Sequence, residues 1–365
     1  MSTAWRWLDA HAGEARFGFV RRDGTGLLGA GIDERIDGAS IAEVLDAVQQ
    51  RGGSWFVGGC FDPSSERAPW WRPFGAACAW RPRETLEVPG LAARSTTNGH
   101  APGPLPEPPP LGVHPDRSRW ERMVDAAADS IARGTLEKVV LARSIVEQAE
   151  TDALGWLARP RGARDMAFLY EPVPGVAFAG STPELLFERR GHEVTSEALA
   201  GTDVDTHLGR QRLLASEKDA REHGLVVEAV SAALAPLCMT IEHSELQLAV
   251  AGGLVHRLVA FRGELKPAVS DAHLADQLHP TPAVAGAPSE AALSFLRAHE
   301  PFDRGWYAGP VGLVEEGRST LAVALRCGLW RGDTRIAYAG AGLVEGSKAQ
   351  AEWDETELKS LAVRQ

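Results

Sequence analysis

Apolar residues recur along this chain in two rhythms. Short runs such as "FGFVRR" (17–22), "SWFVGGC" (54–60), "GAACAWRP" (75–82), "MAFLYEP" (166–172) and "GVAFAGS" (175–181) are compact, β-branched or aromatic, and read as strands. Between them the period lengthens. "SIAEVLDAVQQRGG" reads as a helix stopped by glycine. "DRSRWERMVDAAADSIARG" sets Trp120, Met123, Val124, Ala127 and Ile131 on one helical face, with Gly134 as its stop. Residues 208–237 read as one long helical segment, and "SDAHLADQLH" and "SEAALSFLRAHE" as helices that each open on a serine cap. Residues 305–346 read as three strands with two turns, followed by a closing helix, "AQAEWDETELKSLAV". Strands come in consecutive groups with helices between the groups. That order predicts an α+β fold with antiparallel sheets and argues against a doubly wound βαβ fold.

Composition narrows the partners more than the fold. No apolar run approaches the roughly 20 residues of a membrane span, and the opening residues lack the basic patch and apolar core of a secretory signal. A cytoplasmic protein is expected, with no membrane partner. Its four cysteines (Cys60, Cys78, Cys238, Cys327) are scattered without a CxxC pair and are expected to be reduced. The net charge of −11 speaks against a nucleic-acid binder. It also means that any anionic ligand must be met by a local cluster of bases or by a metal. The proline-rich stretch 99–115 is either an interdomain linker or a long loop crossing one domain.

Three features carry candidate chemistry. The first is "TLEKVVLARS" (135–144), an apolar strand with Lys138 at its mouth and Arg143 near its end. A lysine there is ordinarily a snorkelling side chain. The second is a pair of acidic helix faces. Asp219 and Glu222 are three apart, as are Glu352 and Glu355, with Lys359 four beyond Glu355. Such faces are commonly solvated, yet like charges at this spacing also suit a hard divalent cation, Mg²⁺ first. The third is glycine: Gly340 and Gly342 in "AYAGAGLVEG" and Gly201 in "EALAGTD" allow close backbone approach to a ligand or a neighbouring strand.

Nine strings in order, from about residue 115 to the C-terminus, are similar to those of the chorismate-utilising enzymes. These include isochorismate and salicylate synthases and the large components of anthranilate and aminodeoxychorismate synthases. The strings are "LEKVVLARS", "FAGSTPELLFE", "SEALAGT", "SEKDAREHGLVVE", "LHPTPAVAG", "RGWYAGPVG", "AVALR", "YAGAGLVEGS" and "EWDETELK". The resemblance implies one α+β domain of two stacked antiparallel sheets flanked by helices. Residues 1–112 would be its variable N-terminal part, 113–365 the core that carries every motif, and the proline stretch a crossing loop. It implies chorismate as substrate, Mg²⁺ dependence and a monomer. Glu222 and Glu355 then match Mg²⁺ ligands supported by Glu352 and Asp219. Tyr307 and Arg326 match the holders of the enolpyruvyl carboxylate, with the amides around Gly340 and Gly342 assisting. Lys359, Gly201 and Thr202 would line the ring-carboxylate and hydroxyl region, and His256 matches a histidine near the ring.

Within the family, members that use ammonia usually carry glutamine where this chain has Lys138, and members that use water carry lysine. Lys138 is therefore expected to take the proton of a water attacking ring C2, while Glu197 matches the acid that protonates the leaving C4 hydroxyl. Ala283 stands where salicylate and anthranilate-type enzymes tend to carry threonine, which favours stopping at isochorismate. One departure is the stretch after "AGT": it reads "DVDTHLGRQ" in place of an arginine-rich segment, which removes any anion-binding role there. The expectation is a Mg²⁺-dependent isochorismate synthase serving menaquinone synthesis. The alternatives are siderophore supply, a salicylate synthase, or a non-catalytic paralogue that binds chorismate and Mg²⁺.

Overall fold

The structure, a computed structural model, describes residues 3–88, 93–94, 109–159 and 162–364. Of the proline-rich stretch only 109–115 fall among them, so its role as linker or loop lies outside the described residues. Among the described residues the strands form two antiparallel sheets, of eleven and ten strands. The first runs through Lys138–Gln148, Thr334–Leu343, Cys327–Arg331, Val176–Thr182 and Met166–Val173. The second runs through Leu254–Leu265, Glu193–Val204, Leu185–Arg190, Arg318–Val323 and Pro310–Glu315. Residues of the N-terminal part add strands to both: Arg16–Val20 pairs with Met166–Val173, and Trp55–Gly59 pairs with Pro310–Glu315.

The two sheets face each other across one apolar core. Phe17, Tyr170 and Phe178 from the first meet Phe56, Trp80 and Leu313 from the second. Phe17 stacks on Phe56 and Trp80 at centroid distances of 5.6 and 5.3 Å. Full burial of such rings is the main favourable term, roughly 25 cal/mol per Å² of apolar surface removed from water. The polar tip of Tyr170 is also satisfied: its hydroxyl accepts from the Gly312 amide at 2.9 Å and donates to the Val57 carbonyl at 2.8 Å. Cys60, Cys78, Cys238 and Cys327 are free and buried. Among the described residues no helix is long and apolar enough to cross a membrane.

Helices cover the sheets where the periodic pattern predicts them. Ile41–Arg51 starts on Ser40, and Arg117–Ala132 on Asp116. Three details differ from the sequence reading. The long segment 208–237 is two helices, His207–Ala215 and Glu217–Leu234, because Ser216 leaves the helical conformation and caps the second through the Asp219 amide. Ser289 is the first helical residue behind Pro288, so no side chain caps that helix. The stretch 305–346 holds four strands. Two pair in the second sheet and two in the first, with the chain changing sheets at Ala324–Arg326.

A second such change of sheet lies beside this one. Val176–Thr182 belongs to the first sheet and Leu185–Arg190 to the second, with Pro183 and Glu184 between them. The two crossovers are bonded to each other. Thr182 Oγ1 donates to the Val323 carbonyl at 2.6 Å. The Val323 amide donates to the Glu184 carbonyl at 3.1 Å, and the Ser181 amide to the Arg326 carbonyl at 3.2 Å.

Candidate active site

A cavity opens between the sheets beside these crossovers. Its first wall is the edge of the first sheet, with Val140, Tyr338, Gly340 and Gly342. Gly342 lies opposite Val140 and Gly340 opposite Ala142 in the ladder. Side chains alternate along a strand, so Lys138 shares the face of Val140. The second wall is Leu199–Thr202 with His256. Here Gly201 makes a bulge at a φ of +70°, a conformation L-residues rarely adopt, and a Cβ would press on Leu213 and Asp219. The crossovers supply Pro183, Glu184, Leu325 and Arg326; Ala283, Val284 and Tyr307 close one side, and Glu222 and Lys359 reach in from helices Glu217–Leu234 and Ala349–Arg364.

Ten of the residues expected from the sequence therefore line one cavity: Gly201, Thr202, Glu222, His256, Ala283, Tyr307, Arg326, Gly340, Gly342 and Lys359. Four others stand behind it. Lys138 is fully buried, its ammonium 3.1 Å from Glu222 with no hydrogen-bond partner. Glu355 pairs with Lys359 at 2.6 Å, Glu352 with Lys218 at 2.6 Å, and Asp219 packs behind Gly201. Arg143, from the same string as Lys138, lies over the Trp353 ring at 3.6 Å and donates to Glu357 at 2.6 Å. It pins the Lys138 strand to the helix that carries Glu352, Glu355 and Lys359.

Glu197 is not among them. Ser196 and Ala198 turn into the protein, so Glu197 leaves on the other face of its strand. There it accepts from Arg22 at 2.6 and 2.8 Å and from Arg164 at 2.8 Å. Both of its oxygens are taken by guanidinium donors. Besides Glu222, the cavity is lined by a second carboxyl, Glu184, inside the "STPELLFE" string. Burial pushes it up to about 7, with Lys138 and Lys359 pulling it down and Glu197 adding to the rise. The signal for it in the sequence is its place. It follows a proline between two strands, ahead of the apolar run Leu185–Phe187.

At the other end, Arg326 holds a positive φ of 45° and is nine-tenths buried. One guanidinium nitrogen lies 2.7 Å from His256 Nε2, and Nη1 has no hydrogen-bond partner. Burial and the Arg326 charge push the His256 imidazole down to about 3. It is neutral at neutral pH; a proton on Nδ1 reaches the Gly201 carbonyl at 3.1 Å and leaves Nε2 to accept from Arg326. Arg326 Nη1 is also 3.9 Å from Asp165, and the guanidinium lines the cavity together with Tyr307, where a carboxylate can meet it.

The carboxylates of the two helices suit a hard cation by donor type. Among the described residues no three carboxylate, histidine or cysteine side chains stand close enough to enclose a metal. Each of the three glutamates turns to a lysine instead. Two observations nevertheless fit a cation: Glu352 Oε2 is buried without a hydrogen-bond partner, and the bare backbone of Gly342 makes room for the Glu222 carboxylate. A Cβ at 342 would overlap that carboxylate and come to 3.1 Å from Lys138 Cε. Gly342→Ala, at an ordinary backbone angle, is therefore expected to raise the Mg²⁺ needed for half-maximal activity by roughly 10–100-fold. A metal titration of activity beside a melting curve checks this; an unchanged titration would detach Gly342 from the metal region.

A family model described as chorismate binding enzyme matches residues 106–365. The isochorismate synthase DhbC of Bacillus subtilis is 37% identical over 264 residues, which is 67% of this chain and 66% of that protein. Among solved structures, the menaquinone-specific isochorismate synthase MenF of Escherichia coli superposes with a TM-score of 0.83 at 27% identity, covering 99% of this chain and 90% of that one. A putative 2,3-dihydroxybenzoate-specific isochorismate synthase, DhbC of Bacillus anthracis, gives 0.80 at 28% identity, covering 99% and 98%. The chain spans between about half and two thirds of the length of the curated relatives it matches.

Proposed function

Given that the chain belongs to the chorismate-binding enzyme family, we propose that it is a Mg²⁺-dependent isochorismate synthase. The observation that carries the reading is the pairing of a buried lysine, Lys138, with a cavity carboxyl that keeps its proton to near neutrality, Glu184. Two such groups in one site divide naturally into base and acid.

Chorismate carries two carboxylates into an acidic protein, so both need partners. Arg326 and Tyr307 receive the enolpyruvyl carboxylate, with the Gly340 region beside them. Glu222 and Glu355, with Glu352 and Asp219 in support, would hold Mg²⁺, which would supply positive charge to neutralise the ring carboxylate. Lys359, Thr202 and the bulged Gly201 backbone border the ring, and neutral His256 fixes Arg326 and Gly201 relative to each other. Lys138 takes a proton from the water that attacks C2. The C4 hydroxyl leaves as water with the proton of Glu184. Ala283 places only a methyl group at the cavity edge.

Incubation with chorismate and Mg²⁺ followed by product separation is the test. Isochorismate in equilibrium with chorismate is expected; salicylate and pyruvate as the main products would replace this reading with a salicylate synthase, and bound but unconverted chorismate with a non-catalytic paralogue. Menaquinone is the proposed destination of the product. Deleting the gene and extracting quinones tests it, and an unchanged menaquinone content with lost catecholate secretion would move the enzyme to siderophore supply.

A further inference from the structure

Outside the cavity, immediately behind the acid, sits a charged cluster that the reaction does not use. Arg22 lies in the turn of the N-terminal hairpin formed by Arg16–Val20 and Gly26–Ala30. Its guanidinium donates to three elements at once. One nitrogen reaches the Pro183 carbonyl, which directly precedes Glu184; Nε reaches the Arg164 carbonyl at 2.8 Å; and two bonds of 2.6 and 2.8 Å fork onto Glu197. Arg164 adds its own bond of 2.8 Å to the same carboxylate. Glu197 is only one-tenth exposed, and Arg22 about one-fifth, so the cluster is shielded from full solvent screening.

We propose that Arg22 and Glu197 form a positioning pair for Glu184: the pair anchors the Pro183–Glu184 crossover against the cavity wall and sets the charge the acid meets from outside the cavity. The inference rests on Glu184 as the acid. It assigns Glu197 a role through another residue, and it gives the N-terminal part of the chain a share in the catalytic geometry.

The electrostatics agree with the contacts. Glu184 is faced by Lys138 from the first sheet and Lys359 from the closing helix, both lowering it. Glu197 from the second sheet raises it, and Thr281 from the loop before Ala283 lowers it. The phenol of Tyr307 is coupled to it as well, and Glu222, His256 and Arg326 line the same cavity. Two guanidiniums and one carboxylate leave the external cluster with one net positive charge. Removing Glu197 raises that to two and favours the ionised acid; removing Arg22 takes it to zero and favours the protonated acid.

The test is the pH dependence of kcat/KM for chorismate in the full chain with Mg²⁺. In Glu197→Gln the alkaline limb is expected to move toward acid by roughly one pH unit, with activity regained at low pH. Arg22→Met is expected to move the limb the opposite way and to lower kcat more than it alters KM, because the Pro183 carbonyl loses its donor. Glu197→Asp should restore most of the profile. Opposed shifts are not what simple loss of folding gives. Parent-like limbs in both variants would overturn the positioning pair, as would a folded Glu197→Gln enzyme inactive at every pH, since Glu197 would then be the acid itself. Glu184→Gln run alongside separates the two levels. If it retains turnover, the acid assignment falls; if it is inactive while both limbs stay in place, only the pair falls.

Discussion

Lys138→Ala is expected to lose about 10²–10⁴-fold in kcat for the chorismate-to-isochorismate reaction while chorismate and Mg²⁺ still bind. The cavity walls explain the separation. Substrate carboxylates meet Arg326, Tyr307 and the metal region, none of which Lys138 supplies. What the lysine supplies is a nitrogen on the face of Val140, fully buried and 3.1 Å from the Glu222 carboxylate. Lys138→Gln is the stricter variant, since it keeps most of the volume and a polar end while removing basicity. It is expected to fail as Ala does. Single-turnover measurements beside equilibrium binding of chorismate check both, and near-parent turnover in either variant would remove Lys138 from the chemistry.

Glu184→Gln is expected to cost a similar factor, about 10²–10⁴ in kcat, and at every pH rather than at one end of the profile. Glutamine occupies the same place between the two sheets and can donate a hydrogen bond, but it has no proton to give to a leaving hydroxyl. In the parent enzyme the acid is competent below its pKa of about 7, so kcat/KM is expected to fall as the pH rises through that value. Stability supplies an internal control. Burial raises this carboxyl above its unfolded value, so the folded state binds the extra proton between the two values and stability declines as the pH rises toward 7. Glutamine removes that slope. The variant should therefore melt no lower than the parent above pH 7 while remaining inactive, and a variant that melts lower there would point to a structural cause instead.

The choice between Glu197 and Glu184 as the acid shows what the residue pattern carries and what it leaves out. Strand alternation in "EVTSEALAG" already puts Glu197 opposite Ser196 and Ala198, so its outward direction is readable. The match of a family string outweighs that signal when the chain is read alone. Glu184 sits where the chain changes sheets, and no periodicity marks such a place. Ser216 shows the same limit: apolar spacing continues across it, and only its capping of the Asp219 amide divides one helix into two. By contrast, Lys138, Tyr307, Arg326, Gly340 and Gly342 stand on or beside well-patterned strands of the core, and their convergence follows once those strands are paired. Arg22 had no signal at all, since its partners lie more than 140 residues away in the chain.

The bonded crossovers have a mechanical consequence. Glu184 and Arg326 ride on two chain passages tied to each other by hydrogen bonds, whereas Lys138 belongs to the first sheet alone, with the Glu355 helix laid over that sheet and the Glu222 helix over the second. If the sheets slide on their shared aromatic layer, the proton donor and the carboxylate anchor travel together as one rigid bracket, and the distance between them survives. The gap that changes is the one from bracket to lysine, which is the span the substrate ring must bridge. Such a slide would act on the proposed reaction along a single coordinate, the axis from donor to acceptor of the transferred proton.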